Sequence, residues 1–205
     1  MKLYILHHGI IDTNSYIIAD GPDCAVIDCG VKSGDVMQVI EKNCLDLKYI
    51  ILTHGHFDHV FHVKSLKDVT KAKVCLHESE IDLYRNPDIN GFSMFGMARE
   101  MNLAEPDILL HDGVVLESGA LKLRIIHTPG HTQGSICILS EDSLFSGDTL
   151  FSMSIGRTDL PTGSSKSLHN SITQKLFTLE DRITVYPGHG PKTTIGHEKA
   201  NNPYV

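Results

Sequence analysis

One hexapeptide constrains this chain more than any other: His54-Gly55-His56-Phe57-Asp58-His59, placed directly after the apolar run Leu47 to Leu52. The run reads as a buried β-strand. Six residues cannot easily gather three imidazoles and a carboxylate around one ion. A turn from strand to helix can instead aim His54 and His56 at one point, and Asp58 and His59 at a neighbouring one. Imidazole is the commonest protein metal ligand, and 13 of the 205 residues are histidine.

Three further ligand types recur in the same context. His131 lies in Thr128-Pro129-Gly130-His131-Thr132, Asp148 in Phe145-Ser146-Gly147-Asp148, and His189 in Pro187-Gly188-His189-Gly190. Each follows a strand-like run and sits beside a glycine, which is how rigid sheet ends present a site to solvent. Five histidines and two aspartates divide into two sets that share one carboxylate. The first is His54, His56, His131 and Asp148; the second is Asp58, His59, His189 and Asp148. Nitrogen and oxygen donors without thiolate suit zinc, iron or manganese, so two divalent metal ions are expected, with zinc favoured.

Strands are predicted over Leu3 to Leu6, Ser15 to Ala19, Cys24 to Asp28, Leu47 to Leu52, Lys73 to Leu76, Val114 to Leu116, Leu121 to Ile126, Ser135 to Leu139, Ser143 to Ser146 and Ile183 to Tyr186. Helices are predicted from Ser33, where Val36, Val39 and Ile40 share a face, over Val60 to Val69 and Glu78 to Arg85, and from a cap at Ser164 or Ser165. Leu168, Ile172, Leu176 and Leu179 mark the buried face of that last helix. Asn86 to Pro106 is a long connection rich in Met and Phe, with a short helix expected over Met97 to Leu103. Connections of this length either cover a core or wall a binding site. Strands mixed with helices and no linker indicate one α/β domain spanning 1–205.

Composition narrows the function. A formal net charge of -7 and the absence of a Lys/Arg run speak against nucleic acid. No apolar stretch approaches the ~20 residues of a membrane span. The N-terminal segment lacks a signal-peptide pattern, and Cys24, Cys29, Cys44, Cys75 and Cys137 are odd in number without Cys-x-x-Cys spacing. A reduced, cytoplasmic setting is expected.

His54-x-His56-x-Asp58-His59, followed by His131, Asp148 and His189, resembles the metallo-β-lactamase superfamily over essentially the whole chain. The resemblance implies a four-layer αβ/βα sandwich. Asn14-x-Tyr16, Thr128-Pro129-Gly130-His131-Thr132-x-Gly134-Ser135, Gly156-Arg157-Thr158-Asp159 and Thr194-Ile195-Gly196-x-Glu198 are similar to the small glyoxalase II-like hydrolases. Secreted metallo-β-lactamases have a Cys among the second metal's ligands and a signal peptide; neither is found here. The C-terminal helical region that holds glutathione in full-length glyoxalase II has no counterpart before Val205.

The resemblance implies hydrolysis by a hydroxide held between two cations, with Asp148 as bridging ligand. Asp58 is assigned both as ligand and as the group orienting that hydroxide. Arg157 either faces a substrate anion or ties down its own loop through Asp159. No separate general acid is evident near the motif loops. A thiolate leaves without protonation more readily than an amine, so the expected substrate is a small-molecule thioester such as S-acyl glutathione. The Gly156–Asp159 loop also resembles persulfide dioxygenases, which use one iron; this is the rival reading.

Overall fold

Both faces of the first sheet are dictated by its sequence: Ile17 and Ile18, or Val26 and Ile27, are successive buried residues that point to opposite sides. In the computed structural model, which describes residues 1–205, β1 (Lys2–Leu6), β2 (Ser15–Asp20), β3 (Asp23–Ile27), β4 (Asp46–Ile51), β5 (Lys73–His77) and β6 (Ile108–Leu110) follow one another in that sheet. The pairs from β1 to β3 are antiparallel and those from β3 to β6 are parallel. The parallel connections carry α1 (Ser33–Lys42), α2 (Phe57–Val60), α3 (Val63–Thr70) and α4 (Ile81–Arg85).

The second sheet has the order β7 (Val115–Ser118), β8 (Leu121–His127), β9 (Ile136–Ser140), β10 (Ser143–Gly147), β13 (Thr184–Pro187) and β14 (Thr193–Thr194). Only β10 and β13 pair in parallel, because α5 (Ser165–Gln174) lies between them in the chain. β11 (Leu150–Phe151) and β12 (Ser154–Ile155) form a small separate hairpin, and α6 (Ile195–Asn201) closes the chain.

Three apolar clusters define the layers. Ile18, Ala25, Ile27 and Ile51 of the first sheet meet Leu123, Ile125, Ile138 and Phe145 of the second. On the outer side of the first sheet, Ile17, Val26 and Ile50 pack with Val36 and Ile40 of α1 and Val63 and Leu66 of α3. On the outer side of the second, Cys137, Leu144 and Val185 pack with Leu168 and Ile172 of α5 and Ile195 of α6. This is the expected αβ/βα sandwich. Each buried aliphatic side chain contributes about 1.5–3 kcal/mol.

Several sequence expectations are corrected. Met97 to Leu103 is a run of turns and extended chain, although Met97, Met101 and Leu103 pack against the outer core as the expected helix would have placed them. The helix expected over Val60 to Val69 is broken at Phe61 and His62, where the His62 amide donates to Cys29 O at 3.1 Å. α5 stops at Gln174, and Leu176 and Leu179 follow through a 3₁₀ turn. β6, the β11–β12 hairpin, β14 and α6 had no periodic signal, being two to seven residues long. No helix is long and apolar enough to cross a membrane.

The sandwich carries an acid-sensitive seam. The His77 and His127 rings, one from each sheet, stack with centroids 4.0 Å apart and planes 14° from parallel. Burial, followed by the neighbouring His127, pushes the His77 pKa down to about 4. The folded state therefore keeps His77 neutral while the unfolded chain takes up a proton near pH 6.5. Its contribution is complete above that pH and is lost as pH falls towards 4. Denaturant melts of wild type and His77→Asn between pH 4 and 7 should show a shallower acid decline for the variant.

Candidate metal centre

β4 ends at Ile51, and the chain turns through Thr53 into α2, whose first residues are Phe57, Asp58 and His59. The turn is fixed by Asp28 at the end of β3. Its Oδ1 accepts the Thr53 amide and its Oδ2 accepts the Thr53 hydroxyl, each at 2.8 Å. Asp28 Oδ2 also lies 2.7 Å from His59 Nδ1, and Thr53 Oγ1 lies 3.0 Å from His54 Nδ1. Both rings thereby turn Nε2 inward. A carboxylate behind a histidine fixes tautomer and orientation in this way at metal sites.

The second sheet supplies the rest. His131 follows β8, Asp148 follows β10 and His189 follows β13. His131 Nδ1 donates to Arg157 O at 2.8 Å, which leaves Nε2 2.9 Å from His56 Nδ1. Asp148 lies centrally, with Oδ1 3.3 Å from His59 Nε2 and Oδ2 3.6 Å from His131 Nε2 and 3.7 Å from His189 Nε2. Asp58 Oδ2 lies 3.2 Å from His189 Nε2 and accepts the Thr13 hydroxyl at 2.9 Å. All seven residues singled out in the sequence converge. Ligand atoms of His54, His56 and His131 lie within 4.8 Å of one another, as do those of His54, His59 and Asp148, and of Asp58, His59 and His189.

The donor set fits divalent metal. His54 Nε2, His59 Nε2 and Asp148 Oδ1 are buried without any hydrogen-bond partner, all at this convergence. Such atoms are costly unless a cation takes their lone pairs. Burial and the surrounding imidazoles hold His54 well below the usual histidine range, and burial with His131 holds His56 at about 3. These rings stay neutral, the form that coordinates. For His59, burial opposes protonation, but Asp148, Asp58 and Asp28 outweigh it and raise the pKa. Space is reserved as well: a Cβ on Gly188 would stand 2.2 Å from Asp148 Oδ1 and 2.6 Å from His59 Cε1.

Sequence reasoning missed the groups behind the ligands. Asp28 reads in the sequence as the last residue of a strand, and nothing there singles out Thr53. Glu80, fully buried after β5, was read only as part of a helix. Its carboxylate accepts Gly55 N at 2.9 Å, Gly134 N at 2.8 Å and Thr132 Oγ1 at 3.0 Å. It thus joins the His54–His59 loop to the His131 loop. Burial raises its pKa to about 7 against those three donors. The Asn14-x-Tyr16 motif anchors the His189 loop: Asn14 Nδ2 donates to Pro187 O and Gly190 O, and Tyr16 OH to Pro187 O. Glu198 accepts Thr193 Oγ1 and Met153 N, so the C-terminal motif braces the β11–β12 hairpin.

A cavity of about 200 Å³ opens over the ligands. Arg157 lines it, with its guanidinium held by Asp159 through two contacts of 2.7 Å. The Asn86–Pro106 connection divides its labour. Phe92 and Ala104 are buried in the outer core of the first sheet, whereas Met94 and Phe95 are exposed on the cavity wall.

The family model described as metallo-beta-lactamase superfamily matches residues 8–189. The chain belongs to the metallo-beta-lactamase superfamily. The hydroxyacylglutathione hydrolase GloC of Haemophilus influenzae is 36% identical over 93% of this chain and 91% of its own. The solved structure of the BLEG-1 B3 metallo-beta-lactamase superposes with a TM-score of 0.92 at 36% identity, over 99% of both chains. That of TTHA1623 in a di-iron-bound form superposes with a TM-score of 0.86 at 31% identity, over 98% of this chain and 100% of its own. Membership and the ligand set together make this chain a metal-dependent hydrolase at the level of class.

Two outcomes follow from the geometry. Elemental analysis should find Asp148→Ala stripped of both metal ions, and His189→Ala depleted mainly in the second. Glu80→Gln keeps the volume but cannot serve three donors as a carboxylate does. It should weaken metal affinity about 10–100-fold, as loss of groups behind metal ligands does, with far-ultraviolet circular dichroism unchanged.

Proposed function

We propose that the protein hydrolyses thioesters in the manner of glyoxalase II, acting on S-acyl glutathione or a similar thioester. The observation that carries this reading is a two-set ligand cluster beneath a cavity that offers no separate acid for a leaving group. Besides the ligands, the charged groups on the cavity wall are Asp88, which accepts Ser93 Oγ, and Arg157, which is bound to Asp159. An arginine does not give up its proton. A thiolate can depart under these conditions, while an amide nitrogen lacks a donor.

Two bound cations, with zinc favoured and iron or manganese compatible with the donors, would supply a water of lowered pKa and a Lewis-acid contact for the carbonyl oxygen. His54, His56 and His131 would hold one, and Asp58, His59 and His189 the other, with Asp148 available to both. Asp58 also orients the attacking water: Thr13 and His189 fix its Oδ2 and so fix the plane of the carboxylate. The likeness to GloC and to a di-iron structure supports both the thioester and the two-metal parts of this reading. A cytoplasmic site of action agrees with five free cysteines, four of them buried.

Reconstituted protein should cleave thioesters across an acyl panel and turn over β-lactams poorly. Efficient β-lactam hydrolysis with no thioester cleavage would reverse the assignment, and one iron per chain with oxygen uptake on a persulfide would favour the oxidative rival. Asp58→Asn should lower kcat by about 10²-fold or more, more than it lowers affinity for the metal at His54, His56 and His131.

A further inference from the structure

We propose that the cavity over the metal centre seats a compact apolar acyl group, and that Ile11 is the residue that selects it. This rests on the thioester reading above and specifies its substrate.

Ile11 is the first observation. It has φ 54° and ψ 38°, inside a 3₁₀ turn over Ile10–Asp12. A β-branched residue is disfavoured in this left-handed region, and such strain persists only where the surroundings enforce it. The surroundings do so here. The Ile10 amide donates to Gly30 O at 3.2 Å, and the Thr13 hydroxyl reaches both Ile10 O at 2.6 Å and the ligand Asp58 at 2.9 Å. The turn is thus registered against the metal site, and it holds an isoleucine side chain on the cavity wall with 52% of its surface exposed. Nothing in the core uses that side chain.

The Met94–Phe95 segment is the second. Met94 and Phe95 are 65% and 50% exposed and line the same cavity. Three of the ten exposed large apolar side chains of the protein therefore face one space. Phe95 is fixed by stacking on Phe57, with centroids 4.5 Å apart, and Phe57 stands between the ligands His56 and Asp58. Apolar surface gathered this way marks a binding site.

The third is the state of the polar groups on the wall. The Asn90 amide is consumed internally, donating to Tyr84 O and accepting from Phe92 N. Arg157 is held by Asp159 and Asp88 by Ser93. Of the charged groups here beyond the metal-site residues, only Arg157 Nη1 and Asp88 Oδ2 are left without an intramolecular partner. A 2-hydroxyacyl group gains little in this seat, whereas a branched or aromatic acyl group loses water against Ile11, Met94 and Phe95.

The test uses the metal-loaded protein and the lactoyl, acetyl, isovaleryl and benzoyl thioesters of N-acetylcysteamine, with the same acyl groups on glutathione as a second series. Isovaleryl and benzoyl should exceed lactoyl in kcat/KM by about tenfold or more on both carriers, the range an apolar pocket gives. Ile11→Gly relieves the backbone strain, so the fold should stay intact by thermal melt while the isovaleryl-to-lactoyl ratio collapses towards one. Binding of the unreactive thioether S-isopentyl-N-acetylcysteamine, followed by NMR, should weaken about tenfold in the same variant, in keeping with lost apolar burial. If no thioester is cleaved but the thioether binds and depends on Ile11, the hydrolase reading falls and the seat stands. A preference for lactoyl, a ranking that follows the carrier alone, or a ratio and affinity unmoved by Ile11→Gly would overturn the proposal.

Discussion

Five imidazoles and two carboxylates converge at one end of this protein and leave four buried donor or acceptor atoms without a hydrogen-bond partner, which a shared cation would relieve. That constraint organises this molecule. The residues come from loops of two different sheets, so the sheets must be held in register to within a fraction of an ångström at one end. The apolar cluster between them supplies the adhesion but no such precision, since apolar contact is not directional. Precision comes from buried carboxylates. Asp28 fixes the Thr53 turn and the His59 ring, and Glu80 ties Gly55 to Thr132 and Gly134 across the gap between sheets. Glu80 has no cationic side chain as partner and is satisfied by amides and a hydroxyl, whereas Asp28 is satisfied by an amide, a hydroxyl and the His59 imidazole.

The same loops build the surface that meets substrate. Thr13 links the Ile11 turn to Asp58, and Phe57 links the Met94–Phe95 segment to His56 and Asp58. The walls of the cavity are therefore referenced to the metal ligands rather than to distant parts of the fold. Gly91, with φ 96°, lets the long connection approach the Phe57 ring: an added Cβ would stand 2.8 Å from it. An alanine there would push the wall off the ligand loop.

The seven converging residues were legible as candidate ligands because each lies where an apolar strand gives way to a glycine-bearing loop, and because imidazole and carboxylate at that spacing have few other uses. The layered fold was legible from apolar strands mixed with helices, and its four-layer form from the family resemblance of the histidine and aspartate motifs. What remained hidden is of two kinds. Short elements such as β6, β14 and the β11–β12 hairpin exist only through their partners and leave no periodicity. Asp28, Thr53 and Glu80 act through hydrogen bonds to residues 25 to 54 positions away. A single acidic residue at a strand end carries no sign of which distant amide it will meet. Arg157 shows the converse: its partner Asp159 is two residues on, and that local pairing was one of the two readings the sequence offered.

The central claim is that the two ligand sets hold two cations joined by Asp148. Anomalous diffraction from crystals of the reconstituted protein, recorded at the absorption edge of the bound metal, tests it directly. The account predicts two peaks about 3.5–4 Å apart, one ringed by His54, His56 and His131, the other by Asp58, His59 and His189, with Asp148 between them. A single fully occupied peak, with Asp58 and His189 turned away from it, would contradict the account.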